Sequence, residues 1–132
     1  MSKIEKVEHS FDLSNMILYA GSTWDWHKIH YDKKYLDQNK ISKPVVDGQI
    51  FGALISKQIL DHFGRFSRII SMDFKYKNMV FEGESILISS EISEKSDIKS
   101  KDSDIIEVKT SIVCDKRVVI ENAFSLVRII NE

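Results

Sequence analysis

The chain has 132 residues, of which 42% are hydrophobic, and its 19 basic and 20 acidic residues leave a net charge of −1. This length suits one domain, residues 1–132, that buries its own core. The balanced charge, without a basic block, argues against nucleic acid or an anionic membrane as a partner. A single cysteine, Cys114, excludes an internal disulfide and a thiolate zinc cluster. Because the N-terminus lacks the apolar stretch of a signal peptide or membrane span, we expect a cytoplasmic protein.

The first half of the chain is predicted to be helical. After a short strand at residues 7–11, apolar residues recur at helical spacing from Asp12 to about Gly64. This half contains the segment WDWHKIHYD, residues 24–32, which holds both tryptophans of the chain and two of its four histidines. The segment is therefore a catalytic loop, a metal site or an aromatic-rich turn.

Several residues of this segment have plain structural interpretations. Trp24 and Trp26 are expected to pack into the core, as aromatic residues usually do. His27 is expected to be a hydrogen-bonded structural residue. Asp32 is expected to cap a short helix over residues 33–37.

A metal site is the alternative for the same segment. Asp25, His27, His30 and Asp32 are of the right types for zinc or iron, but their spacing follows no familiar ligand pattern. We therefore expect no metal there.

The segment VVDGQIFGALISKQILDHFG, residues 45–64, predicts one long helix that is apolar around most of its circumference and thus largely surrounded. Asp47 is expected to be its N-cap, and Gly64 is expected to end it. Gly48 and Gly52 indicate either close packing of another backbone or the approach of a ligand. A free amide at a helix start favours negative charge, so Gly48 N–H is well placed to stabilise an oxyanion.

The second half of the chain predicts antiparallel strands. Residues 66–76 alternate, with Phe66, Ile70, Met72, Phe74 and Tyr76 on one face, and further strands are expected near residues 86–92, 106–112 and 117–130. The charged segment 95–104 is expected to be an exposed hairpin loop. The last strand is apolar on both faces in places, which favours a central or interface-covered position. One long helix wrapped by about five antiparallel strands is an α+β architecture, the hot-dog fold.

The run YAGSTWDWHKIHYDKKYL, followed by KPVVDGQIFGALIS, resembles the MaoC-like (R)-specific enoyl-CoA hydratase and dehydratase family of hot-dog proteins. The resemblance implies that Asp25 and His30 hold and activate a water that adds across the double bond of an enoyl thioester. It implies that the Gly48 amide polarises the thioester carbonyl. It also places His27, Val46 and Asp47 among the oxyanion or substrate-binding positions.

The sequence departs from the family pattern at four positions. His27 replaces the usual Asn, Lys28 the usual Pro, Asp47 the His before the helix glycine, and Ala53 a serine that some members carry. These departures affect the expected substrate contacts. The Asp25 and His30 pair is retained.

Two other functions remain open on this fold. Acyl-CoA thioesterases of the hot-dog type usually carry an Asp or Glu along the central helix, and residues 48–60 contain neither, which argues against hydrolysis. A non-catalytic module that binds acyl-CoA or an acyl-carrier thioester would also account for the departures. No Rossmann fingerprint or P-loop is present, so no cofactor is expected beyond coenzyme A in the substrate. We expect a homodimer or a dimer of dimers, because a small unit of this kind leaves an edge strand and the helix incompletely covered.

Overall fold

The computed structural model describes residues 3–93, 98–99 and 103–130. Three helices, α1 (Leu13–Thr23), α2 (Lys33–Gln38) and α3 (Gln49–Phe63), and a 3₁₀ turn (Lys28–His30) occupy the first half. The strands are β1 (Val7–Ser10), β2 (Ser67–Asp73), β3 (Ser85–Ile92), β4 (Ile98–Lys99), β5 (Ser103–Cys114) and β6 (Arg117–Ile130). The predicted change from helix to sheet near residue 64 is confirmed. Among the described residues, no helix has the length and apolar character needed to cross a membrane.

The strands form one antiparallel sheet in the order β1-β3-β5-β6-β2, with β4 pairing beside β5. Strand β6 pairs with β5 on one side and with β2 on the other, so its predicted central position is confirmed. Strands β1 and β2 form the two edges of the sheet.

The core lies between α3 and the inner face of the sheet. Phe51, Ile55 and Ile59 of the helix are almost fully buried, and they share one cluster with inward-facing aliphatic residues of three strands, among them Ile88, Ile106, Val108, Ile112, Val119 and Val127. Burial of each such side chain contributes about 1.5–3 kcal/mol. This packing of one helix against a wrapped sheet is the predicted α+β hot-dog arrangement. The helix is less surrounded than its composition predicted, because Ala53, Lys57 and Leu60 are exposed on one side.

A small polar network lies inside this core. Gln58 of α3 is 5% exposed, and its Nε2 donates to the carbonyl oxygens of Glu5, at 2.8 Å, and Ile88, at 3.2 Å. Its Oε1 accepts from the Ser90 hydroxyl at 2.6 Å, and that hydroxyl also bonds the Thr110 hydroxyl at 2.6 Å. Both polar ends of the buried Gln58 side chain therefore have hydrogen-bond partners, as buried polar groups usually do.

Strand β2 corrects the predicted alternation of residues 66–76. Ile70 is an extra residue, because Ile69 pairs with Val127 and Ser71 pairs with Leu126, its immediate neighbour. Such a bulge reverses the two faces of a strand along its length. As a result Phe66 and Ile70 are exposed and Ser67 is buried, whereas Met72 and Phe74 pack against the core as predicted.

The segment predicted to be a hairpin loop, residues 95–104, is partly strand. Residues 98–99 form β4, and residues 103–104 begin β5, with Ile98 paired to Ile105. The remainder of the predicted loop, residues 95–97 and 100–102, lies outside the described residues.

Candidate active site

The chain changes direction at Trp24, where α1 ends and the loop begins. This residue adopts the left-handed conformation, with φ of 60°, and the amide of Asp25 donates to the carbonyl oxygen of Ala20 at 3.0 Å. Trp24 is 80% exposed, so the expectation that it packs into the core is wrong. Trp26 is 42% exposed, so the same expectation is wrong for it, and its ring makes edge-to-face contacts with Trp24 and Tyr31, each at 6.0 Å between centroids. The tryptophans therefore form an aromatic cluster at the surface.

His27 and Asp32 shape the loop through their own hydrogen bonds. His27 Nδ1 accepts from the Ile29 amide at 3.1 Å, which confirms the structural role predicted for it. Asp32 Oδ1 accepts from the Tyr35 amide at 3.2 Å, so the predicted cap of α2 is also confirmed. Of the four residues considered from the sequence as a metal set, His27 and Asp32 do not belong to the group of neighbouring ligand-type side chains around His30.

His30 is fixed by the extended segment 44–46. Its Nδ1 lies 2.7 Å from the Val45 carbonyl oxygen, and the Val45 amide donates to the Ile29 carbonyl oxygen at 3.0 Å. The Val46 amide in turn donates to the Val80 carbonyl oxygen at 2.8 Å. Main-chain bonds thus join the loop, segment 44–46 and the chain before β3, and they direct His30 Nε2 toward the start of α3.

Asp47 stands at that start. Its Oδ1 accepts from the Gln49 amide at 3.0 Å, so it does satisfy a free amide of the helix, but the N-cap position itself belongs to Gly48. The predicted capping role of Asp47 is therefore confirmed, although the residue directly before Gln49 is Gly48. Gly48 takes helical dihedral angles, and it has no side chain to bond, so the preceding carboxylate supplies the cap.

The structure brings three side chains together. His30 Nε2 lies 3.9 Å from Asp25 Oδ2 and 3.9 Å from Asp47 Oδ2. One ligand-type atom from each residue lies within 4.8 Å of the others. The proximity of Asp25 and His30 agrees with the sequence interpretation. The position of Asp47 beside both of them was not predicted, because no short motif spans the 25–47 separation.

The two carboxyl groups of this cluster differ in their ionisation. Burial raises the pKa of Asp47, and its interaction with the neighbouring Asp25 carboxyl raises it further. The interaction with Asp47 lowers the pKa of Asp25. The side chain of Asp25 is 32% exposed and that of Asp47 only 12%, so burial disfavours the charged form of Asp47 more strongly.

A mostly apolar cavity of about 440 Å³ opens beside His30. Val46, Gly48, Tyr76 and Met79 are among the residues that line it. Tyr76 and Met79 were not identified from the sequence, since neither belongs to a motif. His27 does not line this cavity, and its contact with a substrate stays a prediction.

Gly48 is held close to the Tyr76 ring. A Cβ built on Gly48 would lie 2.8 Å from two ring atoms of Tyr76. This is the close packing that the glycine indicated, although the neighbour is a side chain and not a backbone. Within residues 3–93, 98–99 and 103–130 no acceptor for the Gly48 amide is found, so that donor is free at the cavity wall.

Residues 3–113 match the family model described as "MaoC like domain". No curated protein matches the chain significantly in sequence.

Solved structures share the fold at low sequence identity. The ChsH1-ChsH2 complex from Mycobacterium tuberculosis contains a chain with a TM-score of 0.82 at 13% identity, covering 98% of this chain and 96% of that one. The (R)-hydratase from A. caviae involved in PHA biosynthesis has a TM-score of 0.81 at 18% identity, covering 96% of both chains. R-hydratase PhaJ1 from Pseudomonas aeruginosa has a TM-score of 0.81 at 18% identity, covering all of this chain and 84% of that one.

Proposed function

The chain belongs to the MaoC-like domain family, and on that premise we propose that it adds water to, or removes it from, the double bond of a 2-enoyl thioester. Asp25 and His30 activate the water, and the Gly48 amide holds the oxygen of the thioester carbonyl. The substrate is an acyl-CoA or an acyl-carrier thioester. Because hydration involves no net oxidation or reduction, the reaction requires no cofactor.

The observation that carries this proposal is the spacing of Asp25 and His30. Their nearest side-chain atoms are 3.9 Å apart, which is too long for a direct hydrogen bond and leaves both free to contact the same water. A carboxylate and an imidazole divide proton removal and proton delivery near neutral pH.

The surroundings of His30 support the choice of substrate. A cavity of about 440 Å³ is within the usual size of small-molecule sites, and its mostly apolar lining suits an acyl chain. The free Gly48 amide points to a place for the thioester oxygen, on which negative charge develops during the addition. Val46 contributes to the wall of the cavity, and His27 is proposed to contact the substrate from the loop.

Purified protein tests the proposal directly. The absorbance of crotonyl-CoA is followed with wild type, Asp25→Asn and His30→Ala, with Asp12→Asn as a control at the N-cap of α1. We expect hydration by wild type and by the control, and losses of at least about a hundredfold in the other two variants. Absence of hydration of any short, medium or branched enoyl-CoA would overturn the proposal, as would full activity of the variants.

The same assay addresses the alternative functions. Release of free thiol in place of hydration would make the protein a thioesterase, a result that the Asp47 carboxyl 3.9 Å from His30 makes worth measuring. Binding of acyl-CoA without either reaction would make it a non-catalytic module.

We also propose that the protein is a homodimer. Strand β2 is an edge strand, and Phe66, Ile70, Tyr76 and Met79 are exposed on or near it. Exposed apolar side chains of this kind mark interaction surfaces. Size-exclusion chromatography with light scattering is expected to give the mass of a dimer or a dimer of dimers, and a monomer at micromolar concentration would contradict this.

A further inference from the structure

Asp47 has an oxygen atom in an unusual situation. Its Oδ1 is bonded to the Gln49 amide, but its Oδ2 is buried and accepts no hydrogen bond from any residue that the structure describes. The groups facing Oδ2 are His30 Nε2, at 3.9 Å, and the Asp25 carboxyl. Burying a carboxylate oxygen without a hydrogen-bond donor costs free energy, so the protonation state of Asp47 requires an explanation.

His30 does not supply that donor when it is neutral. Because a carbonyl oxygen only accepts, the bond to Val45 places the ring proton on Nδ1 and leaves Nε2 as a lone pair. The other titratable groups near the pair are His27 and the hydroxyls of Tyr19 and Tyr76. Among the described residues, no lysine or arginine forms an ion pair with either aspartate.

Two facing carboxylates without a cation repel each other, and one proton between them removes the repulsion. With that proton on Asp47 Oδ2, this oxygen becomes a donor to the Asp25 carboxyl, and the buried atom gains its missing partner. The difference in exposure, 12% for Asp47 against 32% for Asp25, favours this arrangement.

We propose that Asp47 is a proton-sharing partner of Asp25: the two carboxyl groups hold one proton at neutral pH, and this proton is the one delivered to the α-carbon of the substrate. The delivery step rests on the proposed function. Asp47 is a positioning residue in this scheme, because it acts on the substrate through Asp25.

The protons balance as follows. The water oxygen bonds to C3 and gives one proton to His30 Nε2, while the C2–C3 π electrons move to the thioester oxygen at the Gly48 amide. Asp47 Oδ2 passes its proton to Asp25, and Asp25 gives a proton to C2 as the enolate reforms its carbonyl, which leaves both carboxyl groups ionised. The imidazolium then returns its proton to the aspartate pair, so the net change is the addition of one water. Dehydration follows the same steps in reverse.

The shared proton is tested in the free protein, without substrate. Carbon-13 NMR follows the aspartate carboxyl carbons against pH in wild type, Asp25→Asn and Asp47→Asn. We expect one carboxyl to titrate above the usual aspartate range and a second below it, and the high titration to move toward the usual range in Asp25→Asn. Independent titration of both groups in the usual range would overturn the shared proton, whatever the protein catalyses.

The delivery role is tested by pH profiles of kcat and KM. Asparagine at position 47 keeps a cap for Gln49 but carries no titrating proton, whereas Asp47→Glu keeps the carboxyl group. We expect Asp47→Asn to lower kcat by about a hundredfold with little change in KM and to lose the alkaline limb of the wild-type profile. Asp47→Glu is expected to retain that limb and part of the rate.

Two outcomes would overturn the delivery role. One is an Asp47→Asn variant with the kcat and pH profile of wild type. The other is a wild type without hydratase activity, which would remove the proposed function and the delivery role together, while the NMR titration still decides whether the proton is shared.

Discussion

His30 Nδ1 and the Val45 carbonyl oxygen lie 2.7 Å apart, and this single bond decides which nitrogen of the ring faces the aspartates. Since the carbonyl only accepts, the neutral ring directs an unprotonated Nε2 at Asp25 and Asp47. A histidine held this way accepts a proton from water without first having to lose one. A backbone carbonyl, and not a third side chain, therefore sets the orientation of the His30 ring.

A side chain at position 48 is predicted to lower the free energy of unfolding. In Gly48→Ala the new Cβ would lie 2.8 Å from the Tyr76 ring, and such overpacking costs about 1–3 kcal/mol in free energy of unfolding. Chemical denaturation measures this loss. Gly52→Ala is the matched control, since its Cβ would lie 3.3 Å from the nearest atom of Phe74 and alanine favours a helix by about 1 kcal/mol. The interpretation fails if the double variant Gly48→Ala/Tyr76→Ala shows the two losses to be simply additive.

Asp47→Asn is predicted to stabilise the fold as the pH rises. The native pKa of Asp47 is raised by burial, so the folded protein holds a proton that the unfolded chain has already lost. The contribution of Asp47 to the free energy of unfolding is fully present below its pKa in the unfolded chain. It is lost as the pH rises through its pKa in the folded protein. The Tm of Asp47→Asn relative to wild type should therefore increase from acid to neutral and alkaline pH. A constant difference in Tm across the range would contradict this, and Asp12→Asn provides the comparison at an exposed cap.

Gln58 is predicted to contribute more to the free energy of unfolding than Ser56, a half-buried residue on the same helix. Gln58→Leu leaves the carbonyl oxygens of Glu5 and Ile88 without their donor, and the expected loss of stability is about 1–3 kcal/mol. Ser56→Ala, which removes one hydroxyl bond to Gly52 on the same helix, is expected to change stability by less than about 0.5 kcal/mol. Urea denaturation distinguishes the two, and equal midpoints for Gln58→Leu and wild type would refute the prediction.

Trp24 is predicted to lower the free energy of unfolding of the isolated chain. Its left-handed conformation is strained for a residue with a Cβ, and 80% exposure means that little apolar burial offsets the strain. Trp24→Gly is expected to raise the free energy of unfolding by up to about 1 kcal/mol. Trp26→Gly, at a residue that contacts Gly21 and Tyr31, is expected to lower it. Thermal denaturation of both variants checks the difference in sign.

Much of the fold was predictable because it depends on local pattern. The apolar run of residues 45–64 predicted α3, and alternation predicted the strands after residue 64. Local pattern does not contain the pairing of β2 with β6, and that pairing decides that Ile70 is an extra residue. The same limit applies to Trp24, whose position at the end of α1 requires a left-handed turn that a tryptophan does not indicate.

The candidate site was predictable in the parts that lie close in sequence. Asp25 and His30 share one loop, and the motif that contains them indicated their chemistry. Asp47 and Tyr76 reach the site through tertiary contacts across 22 or more residues, so their relation to Asp25 and Gly48 could only come from the structure.

The extended segment 44–46 has a consequence for how this site tolerates change. It is bonded on one side to Ile29 and His30 and on the other to Val80 and Glu82, and all but one of these bonds join main-chain atoms only. Main-chain atoms are the same whichever side chains a sequence carries. Substitutions at positions 45 and 46 that fit the surrounding core are therefore expected to keep the distance from His30 to the start of α3, although both side chains line the cavity. Under the proposed function, we therefore expect point mutations of the cavity wall to change the preferred acyl group while the spacing of Asp25 and His30 is kept.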